Sequence, residues 1–126
     1  MNSDDLAALA RLPGWYEVSL IVWPRAGFRC EYCGRDMLAS VDEYRYGWNH
    51  DHLIPKSVSH DDSTDNMVLS CVPCNRFKDT FDPSTEAGPD ASRDELIAAA
   101  TREIEELRQA DESLLEEVRE LASWTP

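Results

Sequence analysis

The chain has 126 residues, enough for one domain and too few for two ordinary ones. With 42% hydrophobic and 29% charged residues it reads as globular, and no apolar run, residues 96–100 included, exceeds five residues, far short of the roughly 20 residues that span a bilayer. A net charge of −13 excludes a general nucleic-acid coat, but residues 11–80 carry eight basic against ten acidic groups, and residues 81–126 four against 13, so the middle can still meet a polyanion.

At the start, Ser3 is a candidate cap for a helix over residues 4–11, with Asp4 and Asp5 at the positive end of its dipole. The first residues have neither the basic start nor the apolar middle of a secretion signal, so the expected location is the cytoplasm. Pro13-Gly14 breaks the chain. Residues 15–23 are ambiguous: the β-branched and aromatic content fits a strand, while Trp15, Val18 and Val22 also fit one helical face, with Pro24 ending either. Residues 27–34 read as a metal knuckle in which Gly34 allows a tight turn after Cys33. Residues 44–52 alternate aromatic and polar side chains and predict a strand closed by Pro55. Residues 56–65 predict a polar, solvated loop, 67–70 a short buried strand, and 74–80 the start of a helix.

Residues 83–89 predict a linker, which sets expected bounds of 1–82 for the main domain, 83–91 for the linker and 92–126 for an acidic helical extension. The extension opens with a capping box, Ser92-x-x-Glu95. Its apolar seam runs through Ile97, Ala100, Ile104, Leu107, Leu114, Val118 and Leu121 at heptad spacing, with Asp111 as a polar intruder. A second box, Ser113-x-x-Glu116, leaves two alternatives, one long helix or a helical hairpin broken near Asp111. The seam can pack on its own domain, form a homodimer or hold a partner protein.

Four cysteines form two pairs, Cys30-x-x-Cys33 and Cys71-x-x-Cys74. In a chain without a secretion signal this spacing points to a tetrahedral thiolate site, and Zn²⁺ suits four thiolates best. A redox pair, plain buried thiols and an iron site are the alternatives. Between the pairs lie His50-Asp51-His52 and Asn66, and Asn75 follows the last cysteine. Asp and Asn offer hard oxygen ligands to Mg²⁺ or Mn²⁺, and a neutral His beside such an ion can take a proton from water near pH 7.

Cys30-x-x-Cys33, Asp51-His52-Leu53-Ile54-Pro55, Asn66-Met67-Val68-Leu69-Ser70 and Cys71-x-x-Cys74-Asn75-x-x-Lys78 together resemble the HNH endonucleases with a zinc-bound ββα-metal fold. Residues 51–78 also resemble the HNH nuclease domain of RNA-guided CRISPR effectors, which lacks the cysteines but keeps the His, the loop Asp-Asp-Ser, the Asn and the final Asn-Arg-x-Lys in order. The resemblance implies an α+β fold with a ββα-metal core and flanking helices. It implies a structural zinc on the four cysteines, His52 as general base, and Asp51 and Asn75 as ligands of one catalytic metal. Asn66 is implied to orient the loop and the imidazole. The implied reaction is hydrolysis of DNA phosphodiesters to 5′-phosphate and 3′-hydroxyl ends, by nicking or by cutting both strands.

Lys56, Arg76 and Lys78 flank this constellation as candidate phosphate contacts. His60, Asp61 and Asp62 read as part of the solvated loop. The rival readings are a catalytically silent zinc-binding interaction module and a protein working through its acidic helix within a phage or restriction-type assembly.

Overall fold

The computed structural model describes residues 1–123; the expected extension's last three residues, 124–126, lie outside the described residues. The fold is mixed: helices surround one small antiparallel sheet, an α+β arrangement. Helix α1 (Ser3–Ala10) is capped by Asn2, whose side chain accepts the Asp5 amide at 2.8 Å, so the cap lies one residue before the expected Ser3. Residues 15–23 resolve as helix: α2 (Glu17–Arg25) buries Val22 and Trp23. Pro24 lies inside its last turn and does not end it before residue 24. The helical face wins because Trp15, Trp23 and Phe28 close on one another, Trp15 and Trp23 at 5.3 Å between ring centres.

The first knuckle follows. Gly34 adopts φ +79°, and its amide reaches the Cys30 carbonyl at 2.8 Å, the tight turn the sequence called for. Residues 44–52 are only partly strand. Ser40 caps helix α3 (Val41–Tyr46) by accepting the Asp42 and Glu43 amides, and the strand β1 begins after Gly47, over Trp48–His52. The local cap outweighs the aromatic alternation of residues 44–46. Within the expected polar loop, Lys56–Ser59 forms a single turn of helix, α4, and Thr64–Asn66 a 3₁₀ turn.

Strand β2 (Met67–Cys71) pairs with β1, placing His52 opposite Met67 and Trp48 opposite Cys71. It passes directly into α5 (Val72–Lys78), where Cys71 serves as N-cap and its sulfur accepts the Cys74 amide. Pro73 stands in the first turn, where a missing N–H leaves nothing unpaired. The predicted linker contains a short helix, α6 (Ser84–Ala87).

Helix α7 (Arg93–Ala122) is one unbroken helix of 30 residues with the predicted capping box, so the hairpin alternative is overturned at Asp111. Continuous i to i−4 bonding through residues 109–116 leaves Ser113 no cap to make; its hydroxyl donates to the Gln109 carbonyl. The helix has two unlike halves. Ala99, Ala100 and Ile104 are fully buried, and Ala100 and Ile104 join the core formed by Val22, Trp23, Met37, Leu53 and Val68. Beyond Arg108 every described residue is exposed, including Leu114 at 57% and Leu121 at 73%. Arg93 ties the buried half down, meeting Glu31 of the knuckle at 3.0 Å and the Met67 carbonyl of β2 at 3.0 Å. Among the described residues no helix is long and apolar enough to cross a membrane.

The two halves predict opposite outcomes for equal truncations. Ile104→Ala is expected to cost about 2–5 kcal/mol, as for other buried aliphatic truncations. Leu114→Ala in the exposed half is expected to stay within about 0.5 kcal/mol. Urea unfolding followed by circular dichroism measures both.

Candidate functional site

The two knuckles bring the four sulfurs of Cys30, Cys33, Cys71 and Cys74 within 4.8 Å of one another. The Cys33 and Cys71 sulfurs are 3.7 Å apart, close to the edge of about 3.8 Å in a tetrahedron with zinc–sulfur bonds of about 2.3 Å. Backbone amides of Cys33 and Cys74 point at the sulfurs of Cys30 and Cys71, both at 3.4 Å. Sulfurs this close cannot all ionise on their own. Donation from Cys71 and Cys74 favours a thiolate at Cys30, while that same sharing pushes Cys71 up to about 11 and raises Cys74 as well. A divalent cation among them supplies the missing charge, so these four residues could hold zinc. Arg108 of α7 adds an outer contact, donating to the Cys74 sulfur at 3.4 Å while lying 5.0 Å over the Phe77 ring.

Neighbouring residues of β1 point to opposite faces. Asp51 turns inward and is only 7% exposed. One of its oxygens, Oδ2, accepts from the Tyr32 hydroxyl at 2.6 Å and lies 3.1 Å from the Lys78 ammonium; the other, Oδ1, accepts from the Asn75 carboxamide at 3.1 Å. Tyr32 comes from the first knuckle, and Asn75 and Lys78 from α5. Burial beside this carboxylate holds the Tyr32 hydroxyl well above the usual phenol range, so it stays a proton donor.

His52 turns the other way. Its Nε2 meets Asp62 Oδ1 at 2.7 Å. A carboxylate only accepts, so Nε2 carries the proton and Nδ1 is the nitrogen left to take one. The same bond holds the Asp62 carboxyl below its ordinary range. Asn66 does not touch the imidazole in this arrangement. It is buried and clasps the loop backbone instead, accepting from the Ile54 amide at 2.8 Å and donating to the carbonyls of Ile54 and Asp61. The bond to the imidazole expected of Asn66 is made by Asp62. His50 lies on the strand face of His52, but the Trp23 indole N–H donates to its Nε2 at 3.1 Å and burial lowers its pKa below 6.5, which makes it a neutral packing residue.

An open groove is lined by Asp51, His52, Lys56, Asn75 and Asp79. Of the three expected phosphate contacts, Lys56 borders this groove and is exposed. Arg76 faces a different groove, between α5 and α7. Lys78 departs from expectation most: at 1% exposure its ammonium is spent on Asp51 and on the His52 carbonyl at 3.0 Å, where no phosphate reaches it. Asp62 and Tyr32 are the site residues the sequence reading missed. The loop Asp-Asp-Ser shared with the CRISPR-effector nucleases carried a signal for Asp62; nothing in the sequence marked Tyr32 beyond its place inside a knuckle.

Residues 30–81 match the HNH endonuclease family. The matched stretch takes in both cysteine pairs, both strands, the loop between them and α5. No curated protein matches the chain. The HNH match points to nuclease-type chemistry, which in that family typically uses a divalent metal. It leaves out the N-terminal helices α1 and α2 and the whole of α6 and α7.

Two substitutions separate structural from surface roles in the stretch that matches the HNH family. Removing one partner of a buried ion pair typically costs about 3–5 kcal/mol, so Lys78→Ala should destabilise by that order in urea unfolding, with Lys56→Ala near zero. Burial makes His50 take up its proton at lower pH in the fold than in the unfolded chain, so stability carries a component that is full above pH 6.5 and is lost as pH falls below it. Gln can still accept the Trp23 N–H, and His50→Gln should remove that component from the pH dependence of the urea midpoint.

Proposed function

We propose that the chain is a metal-dependent HNH endonuclease that hydrolyses DNA phosphodiester bonds to 5′-phosphate and 3′-hydroxyl ends. The observation that carries this reading is one groove, inside the HNH-matching region, that holds a tautomer-fixed imidazole beside two hard oxygen donors. The four cysteines hold structural zinc and the core is of the ββα-metal kind, β1, β2 and α5.

Asp51 and Asn75 are the residues that would hold the catalytic ion. Their side chains fit it: an octahedral Mg²⁺ with bonds of about 2.1 Å sets neighbouring ligands about 3.0 Å apart, and the Asn75 carboxamide lies 3.1 Å from Asp51 Oδ1. A half-turn of that carboxamide presents its oxygen in place of its NH₂. Lys78 and Tyr32 hold Oδ2 and leave Oδ1 for the ion. Mg²⁺ or Mn²⁺ bound there supplies charge stabilisation at the phosphate and the departing oxygen.

His52 accepts a proton from water at Nδ1 as the water oxygen attacks phosphorus. The P–O3′ bond breaks, the 3′ oxygen leaves with the electron pair and takes a proton from solvent, and the phosphate stays on the 5′ side. Asp62 keeps the imidazole in the tautomer this needs. Asn66 closes the loop that carries Asp62. Lys56 is placed to meet a backbone phosphate at the groove's rim. With a charge of only −2 over residues 11–80 to oppose and few cations to attract, DNA affinity is weak and falls with salt.

Nicking of supercoiled plasmid with Mg²⁺, Mn²⁺ or chelator tests this reading. His52→Ala should lower the rate ~10²–10⁴-fold while zinc content and folding are kept. Asp62→Ala should lower turnover by about 10–100-fold, as loss of a supporting partner does. Undiminished cleavage by His52→Ala removes that residue from the base role, and cleavage unaffected by chelation removes the metal.

A further inference from the structure

The distal half of α7 presents an apolar stripe that no other described residue covers. The stripe that begins in the core at Ala100 and Ile104 continues outward through Leu107, Leu114, Val118 and Leu121, of which Val118 is 51% exposed. At its inner end it opens into a groove between α5 and α7 lined by Val72, Pro73, Arg76, Phe77 and Asp111. Apolar surface in one continuous strip, running from a groove onto a bare helix, is characteristic of a helix-in-groove or coiled-coil site.

Charge decides between occupants. Residues 109–122 carry five acidic groups, Asp111, Glu112, Glu116, Glu117 and Glu120, against one cation, Arg119, which is already paired with Glu116 at 2.5 Å. Asp111 interrupts the stripe itself. A second copy of the chain brings a net −4 onto a net −4 and sets the Asp111 carboxylate in the seam against another acidic helix. The exposed stripe also spans only two heptads, a short seam for offsetting that repulsion. A helix bearing Lys or Arg opposite Asp111 and beside Glu117 turns those contacts into attraction, and the remaining acidic groups of the outer turns add a field of the same sign. Arg76 and Arg108 stand at the inner end of the groove, so the partner's cations belong on the outer part, past Asp111.

We propose that the distal half of α7, with the α5–α7 groove, is a docking surface for a basic amphipathic helix of a partner protein. The site lies on the far turn of the chain from the matched HNH region in sequence, yet its inner wall is α5, the helix that carries Asn75 and Lys78. A partner docked there touches the same rigid element that positions the candidate active site, which is a route to targeting an enzyme whose own surface attracts DNA poorly.

The full chain is tested with a synthetic Leu/Lys amphipathic helix of about three heptads and with its Leu/Glu counterpart, alongside light scattering of the protein alone. The protein is expected to be monomeric, to bind the Lys helix with an affinity that falls as salt rises, and to ignore the Glu helix. Leu114→Ser/Val118→Ser should weaken binding by at least about tenfold. Glu112→Lys/Glu117→Lys, which keeps the apolar stripe and the helix, should abolish it. A dimer of the protein alone that Leu114→Ser/Val118→Ser dissolves assigns the face to a second copy and overturns the proposal. Absence of binding to the Lys helix, equal binding of the Glu helix, or binding that survives Glu112→Lys/Glu117→Lys overturns it too. None of these readouts uses nuclease activity, so failure here and failure of the nuclease reading are separate results.

Discussion

A carboxylate buried in the centre of a small protein is the constraint around which the middle of this structure is organised. Taking an ion out of water costs several kcal/mol even after relaxation, and the cost is met only where every lone pair finds a partner. Asp51 finds three, and they come from separate stretches of chain: Tyr32 from the first knuckle, Asn75 and Lys78 from α5. That requirement fixes how the knuckle, the strand and the helix meet. The four cysteines join the knuckle to α5 from the other side, since Cys30 and Cys33 lie on the knuckle and Cys71 and Cys74 at the join of β2 and α5. Tyr32 stands between two of those cysteines, so the sulfur cluster and the carboxylate cluster are coupled through a single turn of chain. Loosening the first frees the hydroxyl that orients the second.

The same constraint explains what could and could not be seen in the sequence. The cysteine pairs were legible because ligand spacing is a local property, and so was α7, whose cap and heptad repeat are written in neighbouring residues. The positions of Asp51, Asn66 and Asn75 followed from a resemblance spread over several separated elements. Lys78 was misplaced because nothing local tells a surface lysine from one whose ammonium meets a carboxylate 27 residues upstream in sequence. Residues 15–23, open between strand and helix in the sequence, turned on tertiary packing, and residues 44–46, where an aromatic alternation suggested strand, turned on a cap at Ser40. Asp62 lies in a stretch of turn-forming residues where each acidic group has the same local signature; only the fold of the loop brings one of them to the imidazole.

Acidity and packing divide α7 in a way that composition alone conceals. Its first turns are held by Arg93 to the knuckle and to β2, and its buried small residues let it lie close against the core. The outer turns keep the apolar period but exchange burial for charge. A helix of this length without tertiary support is marginal in water unless its sequence supplies capping and charge pairs. The Arg119–Glu116 pair and the Ser123 backbone cap at the Arg119 carbonyl provide some of that support. Persistence of the apolar period where it does no work for the core is the feature that calls for a covering surface.

The contact between His52 and Asp62 sits at the opposite extreme of rigidity from Asp51. Its strand end is fixed by the ladder to Met67, and the base of the loop is fixed by Asn66 through three backbone bonds. The carboxylate itself is out in solvent, with Lys56 3.9 Å away. An exposed ion pair of this kind adds little to stability, so its value lies in orientation, and orientation depends on how well the Asn66 clasp limits the loop.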